Sequence, residues 1–383
     1  MTFEFDLGIL GGGQLGRMSI MAAQRMGLAC LSLDPAGGGP AAQVGPAMQA
    51  AFTDVDALKH LFSVCARVTF ENEFVPATAV REALEQLGRP PEFLMPGLDC
   101  LATVQDKLHQ REAYVRAGVP SPKAVAIADD GAAAIATIGF PMVLKARFGG
   151  YDGRGTRTAR NAQEFEDYKT IWADGGWLAE EFVEFKRELA VMVMRRRYGD
   201  EWLQACFPTM ETVQANHQCD LVFPAEADAT EIALRAVEAV GGEGLFGVEL
   251  FEKADGSLVV NEIAPRPHNS GHYTLDWGGP SQFEQHVRLA LNLPPAPLDG
   301  VPTCMANLIG QPHVGDFRSG LVAAIFSDFG VRVHWYGKQP RPGRKLGHIN
   351  AVGGDIVDRA VRAREAFYNA WRLDPEPDDL VEP

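Results

Sequence analysis

The stretch LGILGGGQLGRM, Leu7 to Met18, limits the fold more than any other part of the chain. It joins an apolar run, glycines Gly11, Gly13 and Gly16 in the spacing G-x-G-x-x-G, and a helix-like segment. Strand, glycine turn and helix in that order open a parallel sheet, because parallel neighbours need a crossover between them. The runs LACLSLD, VDALKHLF, ARVTFENE and ATAVREALEQLG keep the same rhythm to about residue 95. They predict a small parallel sheet with helices on its faces. The glycines let backbone approach closely, and the helix N-terminus offers unpaired N–H groups to an anion. With Asp34 closing the second apolar run, a dinucleotide is one candidate for that anion, and an NAD(P)-dependent oxidoreductase one candidate function.

A chain of 383 residues exceeds one ordinary core, so two or three domains are expected. The net charge of −15 argues against a general nucleic-acid or anionic-membrane binder. A phosphate ligand must then be held by a local cluster of cations. Six cysteines, at 30, 65, 100, 206, 219 and 304, form no C-x-x-C pair and read as reduced structural thiols. Glu4 and Asp6 stand where a signal peptide would carry bases, and no apolar run approaches the roughly 18 residues of a membrane span. A cytoplasmic protein is expected.

Farther along, a helix is expected from Leu101 to about Gly118, then a strand in VPSPKAVAI, a helix over Ala132 to Ile138, the strand PMVLKAR, a glycine loop and the strand TRTAR. Beyond Gly176 the chain is strand-rich: WLAEEFV, ELAVMVMRR, WLQACFPTMETVQ, LFGVELF and SLVVNEIA. Helices interrupt near 228–240 and at SQFEQHVRLALNL, and DRAVRAREAFYNAWRL closes the chain. The fold class is α/β and α+β, divided as an N-terminal Rossmann-like domain over 1–97, a central module over 98–185, and a C-terminal domain over 186–383 that ends in a small β-rich section.

Four places concentrate chemistry. In LKARFGGYDGRGTR, Gly149, Gly150, Gly153, Arg154 and Gly155 crowd one turn that can close over phosphates, without the G-K-[ST] of a Walker loop. Lys145, inside the preceding apolar strand, calls for an anion partner. In GVELFEKADGSLVVNEIAPRPH, a two-residue Asp255-Gly256 turn makes Ala254 face Ser257, and counting back sets Glu249 opposite Glu262. Two facing carboxylates repel unless a divalent cation lies between them, and oxygen-only ligands suit magnesium. Strict alternation sends Asn261 to the other face, so its contribution depends on local twist. PRPHNSGH then places Arg266, His268, Asn269 and His272 near any metal-bound phosphate, and YGKQPRPGRKLGH gathers Lys338, Arg341, Arg344 and Lys345 in an acidic chain.

The succession GGGQLGRM, FENEFVP, QDKLHQR, VLKARFGGYDGRG, EEFVEFKREL, FPTMETVQ, VNEIAPRPHNSGH, SQFEQH and RPGRKLGH resembles 5-(carboxyamino)imidazole ribonucleotide synthetases, ATP-grasp enzymes of purine biosynthesis. The resemblance runs from the first strand to about Asn350. It implies a three-domain ATP-grasp architecture with a pre-ATP-grasp first domain, the cofactors ATP and Mg2+, and a homodimer. It places adenine at Glu180, Glu181, Phe182 and Val183, ribose at Glu188, and the phosphates at Lys107, Lys145 and the loop Gly150, Tyr151, Asp152, Gly153, Arg154, Gly155 and Thr156. The resemblance also implies that Gln214 is a further ATP contact and that Glu249 and Glu262 would hold magnesium with help from Asn261.

The reaction implied is bicarbonate attack on the γ-phosphate to give carboxyphosphate, then carboxylation of 5-aminoimidazole ribonucleotide. Arg266 and His268 match residues near carboxyphosphate. Lys338 with Arg344 match those on the ribonucleotide phosphate. Tyr151, Asp152 and Arg154 would close over both substrates; Gln14, Glu73 and Asn269 complete the ribonucleotide side, and Asp34 then loses a cofactor role. A related formate-dependent glycinamide ribonucleotide transformylase shares APRPH but continues Asp-Thr-Gly, where this chain has Asn269, Ser270, Gly271 and His272.

Overall fold

The computed structural model describes residues 3–150, 155–312 and 315–371. Its first sheet is the expected parallel one, with strands in the order Ala47–Gln49, Cys30–Asp34, Phe5–Leu10, Cys65–Phe70 and Leu94–Met95. The central strand is apolar on both sides because it feeds two cores. Leu10 packs with Leu33, Leu58, Phe62 and Val68, whereas Leu7 and Ile9 pack with Ile20, Ala23, Val287 and Ala290. The second face is thus partly covered by a helix from far down the chain, Gln282–Ala290. Strand order reverses beside Phe5–Leu10, and such a switch point opens a crevice at the carboxyl ends of the two central strands. The segments after those ends, Gly11 to Gln14 and Glu71 to Glu73, therefore meet there.

The second sheet has four antiparallel strands in the order Ala124–Ala126, Trp177–Glu181, Met142–Ala146 and Thr156–Ala159, packed through Ile127, Leu144, Phe165 and Trp172. Residues 182–186 carry no regular structure and lead into the third sheet. That sheet has nine antiparallel strands. From one edge they run Leu258–Ala264, Gly244–Glu252, Arg187–Tyr198, Met210–Ala215, Gln218–Pro224, Thr303–Ile309, Lys345–Val352 and Arg332–Trp335, with Glu201–Cys206 also paired to Arg187–Tyr198. The closing section is continuous with this sheet through Leu221 opposite Ala306 and Val222 opposite Met305.

Three local expectations need correction. The helix expected over 101–118 is two, Leu98–Gln105 and Lys107–Ala117. Asp106 breaks it by taking an extended backbone and accepting from Leu108 N–H at 3.0 Å, as an N-cap does. The single strand expected in WLQACFPTMETVQ is also two, Glu201–Cys206 and Met210–Ala215, with Pro208, which has no N–H to donate, between them. Strand Gln218–Pro224 and helix Phe317–Ser327 had no clear signal.

The third correction concerns the hairpin. Lys253, not Ala254, faces Ser257, so the loop has three residues and ends on Gly256 at φ +81°. Its register runs Glu252 opposite Leu258 to Leu250 opposite Val260, then shifts so that Glu249 faces Glu262. Asn261 is the extra residue of that bulge. The one-residue miscount at the loop is cancelled by the bulge, and the facing carboxylates survive.

All six cysteines are free thiols, five of them buried. No helix among the described residues is long and apolar enough to cross a membrane.

Candidate active site

The crevice of the first sheet, the start of helix Lys107–Ala117, strand Met142–Ala146 and the bulged hairpin enclose a cavity of about 270 Å3 lined by Glu73, Lys107, Arg147, Gly149, Gly150 and Glu262. Paired charges line it or continue from its lining residues. Lys107 Nζ meets Glu262 at 2.5 Å, Lys145 Nζ meets Glu180 at 2.7 Å and the Asn261 amide oxygen at 3.2 Å, and Arg266 grips Glu73 through two nitrogens. The bulge explains Asn261: as the unpaired residue it escapes strict alternation and turns its amide toward Lys145. Burial alone would raise the Glu180 carboxyl, but Arg111 and then Lys145 hold it at about 2. The Glu262 carboxyl is kept low against burial by Lys107, and that of Glu73 by Arg266.

His268 caps the turn Asn269–Leu275: its Nδ1 accepts from Ser270 N–H, leaving the ring proton on Nε2, 3.3 Å from Glu249. Burial, then Arg266 and Lys345, push its imidazole down to about 4. A neutral N–H donor, not an imidazolium, therefore points at the hairpin end. His272 departs from expectation. It is fully buried among Gln282, Phe283, Tyr336 and His348. Asn269 is buried too, its amide against the Cys219 thiol.

The remaining candidates fall in two groups. Glu188 and Gln214, on adjacent strands, are hydrogen-bonded to each other. Glu181 ends its strand with its side chain on Lys123 N–H at 3.3 Å, and Phe182 and Val183 follow in the linker with Phe182 exposed. Thr156 pairs with Lys145, and Gly155 accepts from Ala146 N–H at 2.8 Å. Tyr151, Asp152, Gly153 and Arg154 lie outside the described residues. On the other side of the crevice, Lys338 lies beside Tyr336 and its charge reaches Glu71, and Arg344 is disfavoured as a cation by burial first and then by neighbouring Arg341. Gln14 is half-buried at the first position of helix Gln14–Arg25.

The glycine turn itself already receives a carboxyl group, whose pKa burial raises. Leu15 N–H donates to Glu71 at 3.2 Å, and a Cβ on Gly13 would collide with that carboxylate. Asp34 closes the same turn by accepting from Gly12 N–H at 2.8 Å.

Among the described residues, no three His, Cys, Asp or Glu side chains gather as a metal site. Two facing carboxylates and an amide oxygen are a partial, hard-oxygen set, of the kind that phosphate oxygens complete around magnesium.

Similarity to known proteins spans the same three sheets. Residues 5–105 match the ribonucleotide synthetase preATP-grasp domain, 112–283 the ATP-grasp domain, and 303–362 the phosphoribosylaminoimidazole carboxylase C-terminal domain. The N5-carboxyaminoimidazole ribonucleotide synthase of Mycobacterium bovis is 39% identical over 377 residues, spanning 94% of this chain and 86% of that protein. The chain belongs to the N5-carboxyaminoimidazole ribonucleotide synthase family. A solved carboxyaminoimidazole ribonucleotide synthase from Aspergillus clavatus complexed with ATP is similar at a TM-score of 0.84 and 31% identity, covering 96% of this chain and 99% of that one. The Aspergillus clavatus synthase in complex with ADP and 5-aminoimidazole ribonucleotide gives 0.84 and 30%, covering 97% and 100%. The three-sheet architecture is thus the ATP-grasp fold of N5-carboxyaminoimidazole ribonucleotide synthases, with the preATP-grasp domain first.

Sequence reasoning missed several site neighbours in this member of the N5-carboxyaminoimidazole ribonucleotide synthase family. Arg111 bonds Glu180 at 2.8 Å and the Asn261 carbonyl at 2.6 Å; its signal was the four-residue spacing from Lys107, which puts both on one helix face. Arg147 holds Asp106, and Glu71 fills the glycine turn. Glu71 follows the strand end at the switch point, which is where it could have been sought.

Burial also keeps His268, His272, His286 and His348 neutral in the fold, His286 down to about 3. In the unfolded chain they titrate near the ordinary value of about 6.5. The unfolded state therefore takes up protons the native state refuses, and this stability, fully present above about pH 6.5, is lost as pH falls toward 4. The melting temperature should drop measurably between pH 7 and 5 by scanning calorimetry. A flat profile over that range would contradict the assignment.

Proposed function

We propose that the chain carboxylates 5-aminoimidazole ribonucleotide with bicarbonate at the expense of ATP, giving 5-carboxyaminoimidazole ribonucleotide, ADP and phosphate. The observation that carries this reading is Glu249 facing Glu262 across a bulged hairpin, with Lys107 and Lys145 on one side and Arg266 and His268 on the other. ATP lies between the second and third sheets, with adenine at Glu180 to Val183, ribose at Glu188 and Gln214, and phosphates at Lys107, Lys145 and the glycine loop. Glu249, Glu262 and Asn261 hold magnesium, which when bound neutralises phosphate charge.

In the reaction, a bicarbonate oxygen attacks the γ-phosphorus and ADP leaves, forming carboxyphosphate. Its breakdown releases phosphate and carbon dioxide, and the 5-amino nitrogen bonds to that carbon with loss of one proton. There is little covalent work for the protein, so positioning and preorganised charge do most of it. Arg266 now grips the planar Glu73 carboxylate with two nitrogens, the same fork that recognises a carboxylate or phosphate of the intermediate. His268 donates its Nε2 proton to a developing anionic oxygen. Lys338 and Arg344 take the ribonucleotide phosphate, and Gln14, Glu73 and Asn269 its remaining polar groups. The same reading takes the chain as a cytoplasmic homodimer. It is tested by ADP release from purified protein, which should require bicarbonate, 5-aminoimidazole ribonucleotide and magnesium together; release indifferent to the ribonucleotide would sink it.

A further inference from the structure

The SQFEQH stretch has a task that substrate binding does not use up, one that rests on the proposed carboxylation. Gln282, fully buried at the first position of helix Gln282–Ala290, holds the backbone of His268 on both sides. His268 N–H donates to its Oε1 at 2.9 Å, and its Nε2 donates to the His268 carbonyl at 2.8 Å, a carbonyl that also accepts from Gly271 N–H. A side chain thus makes the pair of bonds that a neighbouring strand would otherwise make. The second Nε2 proton goes to His272 Nδ1 at 2.8 Å.

The orientation of the amide is determined by these partners. Flipped, it would set NH2 against the His268 N–H and oxygen against the carbonyl. His272 then accepts at Nδ1 and keeps its own proton on Nε2. A Cβ on Gly271 would collide with Gln282, and one on Gly247 with His268, so the loop has no room for another arrangement. The helix is itself anchored. His286 Nε2 meets Thr69 Oγ1 at 2.9 Å in the first sheet, and that hydroxyl donates to the Met95 carbonyl at 2.7 Å. One helix therefore ties the histidine loop to the sheet that carries Glu71 and Glu73.

We propose that Gln282 is a positioning residue acting through His268, its amide fixing the His268 backbone so that the imidazole stays aimed at the Glu249 end of the hairpin. It touches no substrate; it sets where the Nε2 proton points.

A double-mutant cycle tests this. Gln282→Ala should lower kcat for ribonucleotide-dependent ADP release about 10- to 100-fold, as misplacement of a catalytic group does, with the KM for ATP changed less than about two-fold. In a His268→Ala background the same substitution should change kcat less than about two-fold, because the group it acts through is gone. An equal loss in both backgrounds overturns the proposal and leaves Gln282 a general packing residue. Should Gln282→Ala not fold, as judged by ADP binding, the cycle is run on Gln282→Met, which keeps the length of the side chain but makes neither bond to the His268 backbone. A loss confined to the His268 background supports the proposal, and an equal loss overturns it. Wild-type protein without ribonucleotide-dependent turnover would instead sink the functional reading, which is distinguishable from an active wild type with an additive cycle.

Discussion

Arg266→Ala should lower ribonucleotide-dependent ADP release by about 10³-fold or more, while ATP continues to bind. The magnitude follows from what a single arginine contributes when it meets charge developing in phosphoryl transfer. Arg266 is well placed for this because its guanidinium is mostly buried and already engages a carboxylate through two nitrogens. The Arg266→Lys variant keeps the charge but loses the planar fork, so its activity should lie between wild type and alanine. ATP affinity should change little, since the phosphate cations Lys107 and Lys145 are held by other partners, Glu262, Glu180 and Asn261. Steady-state kinetics with a parallel ATP-binding titration checks this. Full activity in the alanine variant, or joint loss of ATP binding, would contradict the role assigned to Arg266.

The second large effect is on stability. Glu180 is 2% exposed and holds two cations, Arg111 and Lys145. Taking one partner from a buried pair leaves charge that water cannot reach, which costs about 3–5 kcal/mol. Glu180→Ala should show this as a large drop in melting temperature, retained down to about pH 4 because the native carboxyl stays ionised far below that. Removing Asp56, which pairs with Lys59 in the open at 92% exposure, should be close to neutral by the same measurement. A similar melting temperature for Glu180→Ala and wild type would show that Arg111 and Lys145 find other partners, and the charged wall would need redrawing.

The contrast between these residues shows what could be read in advance. The parallel sheet was legible because alternating strand and helix runs with a glycine turn admit few folds; Gln14 and Glu73 were named only through the family resemblance. The facing glutamates were legible from hairpin counting, although for a reason only partly right. A three-residue loop replaced the two-residue turn, and the bulge at Asn261 restored the register one residue before it mattered. A local pattern can therefore give a correct pairing through two compensating departures.

Gln282 was not legible as a site residue because its partner, His268, is on another element, and the spacing that set Arg111 on the face of Lys107 did not name its partner, Glu180. Nothing in a helix sequence says which buried acid its arginine will meet. Asp106 carried an N-cap signature, but QDKLHQR without glycine or proline reads as continuous helix. The burial of His272 was not legible, because proximity in sequence to His268 says nothing about which side of a tight turn a ring takes. The glycine motif was expected to receive an anion, and in the structure the turn takes in a carboxyl group of the chain itself, Glu71, brought in from the neighbouring central strand.

The central claim is that the paired glutamates, the lysines and Arg266 with His268 form one site for carboxyphosphate chemistry on an aminoimidazole ribonucleotide. Its most direct test is ADP formation measured side by side in two mixtures, 5-aminoimidazole ribonucleotide with bicarbonate and glycinamide ribonucleotide with formate. The account predicts turnover in the first, abolished when bicarbonate is removed, and none in the second. Turnover only with glycinamide ribonucleotide and formate would contradict it.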